Sequence, residues 1–467
     1  MTSATFTVAT TEALVRLLRQ GQERATALGR PVVVSLASPL SGDLSPLSVF
    51  ATARRAGAYR MFWGRPKQDF WLAAAGNSVM LSADGNGCIA DVEARRRCLM
   101  EDAIVQSPHR PGVGPIFLGG FRFDPRVPRD PMWASFPDAL LVLPRILFAW
   151  SEGSAWLTIN ALASPGDDAV AQAKSLSGEI QALTAGTESP LRPPRVVHIS
   201  ETSPEVWGRW VRRGLDAIET GPVSKVVLAR KKSLRAEGHF SSDGALRQLV
   251  HAYPECTVFC IDSGGASFLG ATPETLARVD DGKLGLTCLA GSAARGSDPA
   301  EDHRLQDELL ASPKERQEHE AVRAMLASNV KGLCTELRWD ETPGVARLRN
   351  VQHLLTSFAG ALRPGVGVLD VVHRLHPTPA VAGVPTGGAL KLIAELEGDR
   401  GWYAAPVGWM DHSGGGEFAV AIRSALLLGD QAVLYAGAGI VAGSDPDREF
   451  QETELKFRPL LDALTGE

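Results

Sequence analysis

Apolar positions recur along the chain with two different periods. Leu14, Leu17 and Leu18 share one helical face, which predicts a helix over 11–28. Pro31-Val-Val-Val-Ser-Leu36 is a continuous apolar run of strand length. Between residues 45 and 160 short apolar runs alternate with Gly, Pro and Asp: Tyr59-Arg-Met-Phe-Trp63, Phe70-Trp-Leu-Ala-Ala74, Ile116 to Phe123, Ala139 to Leu143 and Ser154 to Ile159. Turn residues at that density predict hairpins and antiparallel sheet. Helical spacing returns over Ala169–Leu183. It returns again after Ser203-Pro-Glu, where Val206, Trp207, Trp210, Val211, Leu215 and Ile218 form one apolar face behind a serine cap. Strands follow at Lys225–Ala229, Thr257–Ile261, Ser267–Leu269 and Leu276–Val279. A long helix is predicted from Ala300 to Glu336, with shorter ones at Leu369–Leu375 and Gly388–Leu396. The end reads as strands at Ala405–Trp409, Phe418–Leu428 and Val433–Tyr435, then a final helix.

Helices segregated from hairpin-like strands define an α+β class, with large, mainly antiparallel sheets flanked by helices. Thr184 to Arg195 carries Pro190, Pro193 and Pro194 and is the linker candidate. It divides a sheet-rich part, 1–195, from a motif-dense catalytic part, 196–467. Antiparallel strands on both sides make these two parts of one large domain.

The 467 residues are 44% hydrophobic, enough for a large core, and a formal charge of -5 gives no reason to expect a nucleic-acid partner. No apolar run approaches the roughly 20 residues of a membrane span. Met1 to Thr10 lacks a basic region followed by an apolar core, so no secretory signal is expected. The cysteines at 88, 98, 256, 260, 288 and 334 form no Cys-x-x-Cys pair, which fits buried thiols in a reducing cytoplasm.

Candidate chemistry is densest from Leu434 to Lys456. Gly437-Ala438-Gly439 reads as a small-residue turn whose backbone N–H groups suit an anion. Ser444-Asp445-Pro446 starts a helix bearing Glu449 and Glu452 on one face, with Lys456 one turn on and Glu454 expected to have no role. Glu315 and Glu318, beside His319, repeat that carboxylate pair on the long helix. Two such helices facing each other would offer oxygen ligands to a hard cation such as Mg²⁺, which keeps several waters and needs only one carboxylate from each. The alternative is solvated helix surface. Lys225 stands at the edge of an apolar strand, where desolvation favours the neutral amine and so a base. Glu274 follows a strand and a turn and offers a proton donor. Arg423, read as lying mid-strand, needs an anionic partner, such as a substrate carboxylate. Glu93-Ala-Arg-Arg-Arg-Cys-Leu99 reads as an exposed helix face, and His373 and His376 as structural. The spacing of Gly437 to Gly443 does not fit a dinucleotide fingerprint.

These residues fall in segments that resemble the chorismate-binding enzymes: Ser224 to Arg230, Phe268 to Leu276, Leu289 to Ser292, Ser312 to His319, Val351 to His353, Leu375 to Val381, Gly408-Trp409, Ala421 to Ser424 and Tyr435 to Val441. Gly119-Gly-Phe-x-Phe123 before Trp133 fits the family more loosely. The resemblance implies the fold of anthranilate synthase component I and the substrate chorismate. It makes Lys225 the base that activates water and Glu274 the acid that protonates the departing hydroxyl. Glu318 and Glu452 become Mg²⁺ ligands, with Glu315 and Glu449 as outer carboxylates. Arg423, Lys456 and the backbone of Gly437, Ala438 and Gly439 would bind the enolpyruvyl side chain, while Gly291, Ser292 and His353 would line the pocket. Family members that use ammonia carry Gln where this chain has Lys225. Aminodeoxychorismate synthases carry a nucleophilic Lys where it has Ala290. Salicylate synthases tend to carry Thr where it has Ala380. The resemblance is thus to isochorismate synthases, which need no glutamine amidotransferase subunit. The stretch Gly401 to Asp411 is closer to the menaquinone branch than to the siderophore branch.

Overall fold

The computed structural model describes residues 8–42, 44–54, 59–186, 192–347 and 351–466. Two large sheets organise it. One, of 13 strands among the described residues, runs in the order Val196–Glu201, Lys225–Ala236, Gln431–Ile440, Ser424–Leu428, Ala266–Thr272, Thr257–Ser263, Arg60–Arg65, Phe70–Ala75, Ile146–Ser151, Ser154–Ala163, Val32–Leu40, Ile104–Gln106, with Gly383–Val384 pairing on Lys225–Ala236 off this path. The other, of 10 strands among the described residues, runs Cys334–Trp339, Val351–Leu362, Lys283–Ala294, Thr275–Asp280, Gly416–Val420, Pro406–Asp411, Ile116–Phe121, Ala139–Leu143, Val79–Ala83, with Gly344–Arg347 pairing on Val351–Leu362 off this path. Among the described residues every pairing is antiparallel except that of Val32–Leu40 with Ile104–Gln106. Both sheets join strands from before residue 195 to strands from after it, through Val258↔Gly64 in the first and Gly408↔Gly119 in the second. Of the linker candidate Thr184 to Arg195, residues 187–191 lie outside the described residues, as do residues 1–7 of the N-terminal stretch.

Side chains from both sheets share one apolar core, in which Trp133, Phe136, Phe268 and Trp402 meet edge to face. Trp133 packs so closely that a Cβ on Gly401 would lie 2.0 Å from its ring, and Gly401 also sits at φ +57. Among the described residues no helix is long and apolar enough to cross a membrane. Five of the six cysteines are buried and Cys98 is exposed.

Three expectations change. The long helix is two, Pro299–Ala311 and Pro313–Lys331. Ser312 closes the first and caps the second, because a residue before proline avoids the α region and Pro313 has no N–H to continue the ladder. Glu336 then belongs to the strand Cys334–Trp339. The Glu93 cluster lies in the helix Cys88–Glu101, but Glu93 and Arg96 are buried. Arg96 and Arg97 both bond to the Glu93 carboxylate, Arg97 also reaches Asp370, and Arg96 donates to the His412 carbonyl. Charged side chains enter a core when paired in this way; the Glu93 pairs lie within one helical turn, while Asp370 and His412 lie hundreds of residues away. Finally, the run Phe418–Leu428 is broken between Val420 and Ser424.

Candidate active site

The site lies where the two sheets meet. Lys225 opens its strand, and Gly439 on the neighbouring strand leaves room for it, since a Cβ there would stand 3.2 Å from Lys225 Cε. The amine crosses to the helix Pro313–Lys331, which packs on the other sheet, and donates to Glu318 Oε1 at 3.0 Å. This contact brings together residues 93 positions apart.

Glu274 occupies the corner between the strands Ala266–Thr272 and Thr275–Asp280. The corner is pinned three ways. Thr272 Oγ1 donates to the Val420 carbonyl at 2.6 Å and accepts from the Glu274 N–H at 3.2 Å, and the Val420 N–H donates to the Glu274 carbonyl at 3.0 Å. Burial pushes the Glu274 carboxyl up to about 7, against the pull of the Lys225 charge. An acid near neutrality beside a lysine is an arrangement suited to paired proton transfers.

Arg423 is not within a strand. It lies in the connection between Val420 and Ser424 with φ +50, a left-handed conformation that costs an L-residue about 1–3 kcal/mol. Burial lowers its guanidinium below the usual range despite Glu452 nearby. Lys456, on the helix Pro446–Thr465, is likewise lowered by burial; it donates to Glu452 and to the Gly437 carbonyl at 2.8 Å. Two desolvated cations side by side make a site for anionic groups.

Gly437, Ala438 and Gly439 do not form a turn. They continue the strand Gln431–Ile440, opposite Ala229, Leu228 and Val227. The turn expectation is corrected: among the described residues this strand pairs with Ser424–Leu428 only as far as Leu434, so at 437–439 it has a ladder partner on one side only. The strand's two-residue alternation turns Ala438 into the core while Gly437 and Gly439 face the site. Their missing side chains leave space: a Cβ on Gly437 would stand 3.2 Å from the Tyr403 hydroxyl. Small residues in an apolar sequence window carry the same signature whether they form a turn or clear a strand face.

The opposite wall is a bulge between Ala290 and Ser292. Gly291 has φ +74, and a Cβ there would lie 2.9 Å from the Glu315 carbonyl. The Ser292 N–H donates to Glu315 Oε2 at 2.9 Å, and Ser292 Oγ bonds His353 Nδ1 at 2.8 Å. Burial and the cations of Lys456 and Arg423 lower His353, while the Gly291 backbone works in the other direction. Replacing Gly291 with alanine should disturb both this bulge and the helix beneath it. Left-handed alanine costs about 1–2 kcal/mol, and the closeness of Glu315 adds to it. The expected result is a folded protein by circular dichroism with turnover reduced at least about tenfold; wild-type turnover would show that the bulge has slack. Ala380 sits in a turn ending at Ala382, whose carbonyl accepts from Val227 N–H two residues beyond Lys225.

Tyr403 was not singled out by sequence. Its ring stacks on Tyr435 with centroids 4.9 Å apart, burial pushes its phenol up to about 12, and it lies in the fields of Glu274 and Arg423. The signal was only its place in the stretch Gly401 to Asp411. Glu454 also gains a role: with Glu201 and Thr453 it holds the fully buried Arg230, and it binds Lys232 as well. The rings of Phe450 and Phe457 flank the same guanidinium. This clamp fixes the helix carrying Glu449, Glu452 and Lys456 to the strand that begins at Lys225.

Among the described residues no three His, Cys, Asp or Glu side chains already converge on a metal position. The helices that bear the two carboxylate pairs pack on different sheets, Pro313–Lys331 on Lys283–Ala294 and Pro446–Thr465 on Gln431–Ile440. The donor chemistry fits a hard cation. Glu315, Glu318, Glu449 and Glu452 are all oxygen donors at the site's rim, and burial and the charge of Glu452 raise Glu449, so that a positive charge there would stabilise both. His376, by contrast, is held down to about 4 by burial and bonds the Phe123 carbonyl at 3.1 Å, a structural role.

The two-sheet fold, with an acid, a lysine and a cationic anion subsite at the junction, defines an enzyme of the chorismate-utilising type. The chain belongs to the chorismate-binding enzyme family, whose model matches residues 19–465. It is 36% identical over 448 residues to the salicylate biosynthesis isochorismate synthase of Pseudomonas aeruginosa, covering 95% of this chain and 92% of that one. It is 31% identical over 452 residues to the isochorismate synthase MenF of Bacillus subtilis, covering 95% and 96%. The structure of MenF, the menaquinone-specific isochorismate synthase of Escherichia coli, superposes with a TM-score of 0.80 at 26% identity over 97% of this chain and 98% of that one. Anthranilate synthase component I of Streptococcus pneumoniae shares the fold, with a TM-score of 0.68 at 22% identity.

Proposed function

We propose that the protein is an isochorismate synthase, an isomerase that adds water at ring carbon 2 of chorismate and expels the hydroxyl at ring carbon 4. The observation that carries this reading is a Glu274 carboxyl raised by burial to about 7 within the field of Lys225, whose amine is held by Glu318. Lys225 Nζ takes a proton from water as its oxygen bonds to carbon 2. The ring double bonds shift, the bond from carbon 4 to its hydroxyl breaks, and Glu274 supplies the proton that lets the hydroxyl leave as water. Arg423 and Lys456 neutralise the enolpyruvyl carboxylate, and Tyr403, Gly437 and Gly439 shape its space. Glu318 and Glu452 would hold Mg²⁺, with Glu315 and Glu449 outside them through water; a bound cation would neutralise the ring carboxylate. Two carboxylates on one substrate call for this much positive charge.

The test is to incubate the purified chain alone with chorismate and Mg²⁺ and separate the products by chromatography. Isochorismate is expected, with activity lost on chelation and restored by Mg²⁺. No isochorismate from a folded, metal-supplemented sample would refute the proposal. Activity without an added subunit supports the absence of an amidotransferase partner. Ala380 supports a synthase that stops at isochorismate; salicylate and pyruvate appearing without a lyase would support the salicylate synthase reading instead.

For the pathway we propose menaquinone synthesis, supported by similarity to the MenF proteins across nearly the whole of both chains. A second reading, supply of isochorismate for salicylate or a siderophore, is favoured by the Pseudomonas relative. Loss of menaquinone from lipid extracts of a deletion strain would support the first, and unchanged menaquinone the second.

A further inference from the structure

We infer that His319 is a positioning residue whose imidazole braces the carboxylate-bearing helix Pro313–Lys331 against the bulge at Gly291, and so aims Glu315 and Glu318 into the site. The inference rests on the reading of those carboxylates as ligands of a divalent cation. His319 directly follows Glu318 yet is buried, whereas Glu318 reaches into the cleft. Its Nδ1 lies 3.0 Å from the Ala290 carbonyl, which can only accept, so Nδ1 carries the proton. Its Nε2, 2.7 Å from Thr356 Oγ1, then accepts from the hydroxyl. One tautomer satisfies both partners.

Those partners stand on two paired strands, Lys283–Ala294 and Val351–Leu362, so one ring ties a helix to both. Ala290 is the last residue before the register slips. The bulge that follows touches the helix twice more, through the Ser292 N–H on Glu315 and the close approach of Gly291 to the Glu315 backbone. The helix therefore sits on the bulge without slack, and His319 is the bond that fixes its rotation one residue from Glu318. Partners that orient metal ligands are worth about 10–100-fold in metal affinity.

Mg²⁺ titration calorimetry on the full chain, wild type and variants, tests this. His319→Asn keeps an amide donor at the Nδ1 position but loses the bond to Thr356, and should weaken binding less than His319→Gln does. His319→Gln carries its amide past the Ala290 carbonyl and should weaken binding at least about tenfold. Thr356→Val keeps the shape but removes the hydroxyl that holds Nε2, and should weaken binding in the same direction; it serves also if His319→Gln fails to fold. Wild-type affinity in folded His319→Gln or in Thr356→Val would overturn the inference and leave the metal reading standing. No binding by the wild-type chain would overturn the metal reading and this inference with it. A merely structural histidine would lower the melting temperature of both His319 variants without separating their affinities.

Discussion

Replacing Lys225 with alanine should lower kcat by about a thousandfold, within the 10²–10⁴ range of a positioned general base. The melting temperature should barely move, because the Lys225–Glu318 pair is partly solvent-exposed, and such pairs contribute about 0–1 kcal/mol. Lys225→Arg separates charge from proton transfer. Arginine can still pair with Glu318, but it stays protonated and cannot accept a proton. Both variants should be equally inactive in the chromatographic assay while remaining folded by circular dichroism. An arginine variant within tenfold of wild type would mean that Lys225 supplies charge alone, and the base would have to be sought elsewhere.

Glu274→Gln should abolish turnover and alter the pH dependence of stability. With its carboxyl at about 7, Glu274 holds its proton below that pH and loses it above, so wild-type kcat should fall as pH rises through about 7 on this limb. The same shift acts on folding. Glu274 is raised above its unfolded value, so the folded chain binds more protons than the unfolded chain between the two values. Stability is therefore fully present below the ordinary carboxyl range and falls as pH rises through about 7. Glutamine removes this dependence. Thermal melts should show the variant gaining on wild type between pH 5 and pH 8, while the assay shows no isochorismate at any pH. A variant that keeps turnover, or a gap that stays constant with pH, would remove Glu274 from the acid role. An inactive variant stabilised at pH 8 is what a buried functional acid predicts.

Much of the fold was legible in the chain. Alternating and continuous apolar runs gave the antiparallel strands; Ser203 caps its helix as read, and of the two candidates Ser444 and Asp445 it is Asp445 that caps the last helix, with a proline in the first turn of each. The elements that differed did so for identifiable reasons. Periodicity continues across Ser312-Pro313 although the backbone cannot, and so one helix was read where there are two. Small residues at 437–439 suggested a turn, but on the far side of the ladder they clear space for Lys225 and Tyr403. An arginine between two apolar runs suggested a strand, whereas Arg423 holds a left-handed corner that the bonds around Ala421 and Ala404 close. Glu454 had no visible partner because Arg230 lies 224 positions away.

By itself, the sequence determined which residue types were available and their local order: a lysine at a strand edge, an acid at a corner, two carboxylate pairs one helical turn apart, and the motif series that marks the family. Only the tertiary structure decided which of them act together. Lys225 meets Glu318 across the junction of two sheets, burial raises Glu274, and Tyr403 joins Gly437 and Arg423. Proton affinity and charge pairing depend on distance and desolvation, and both are set by chain segments far apart in sequence that the sheets bring into contact.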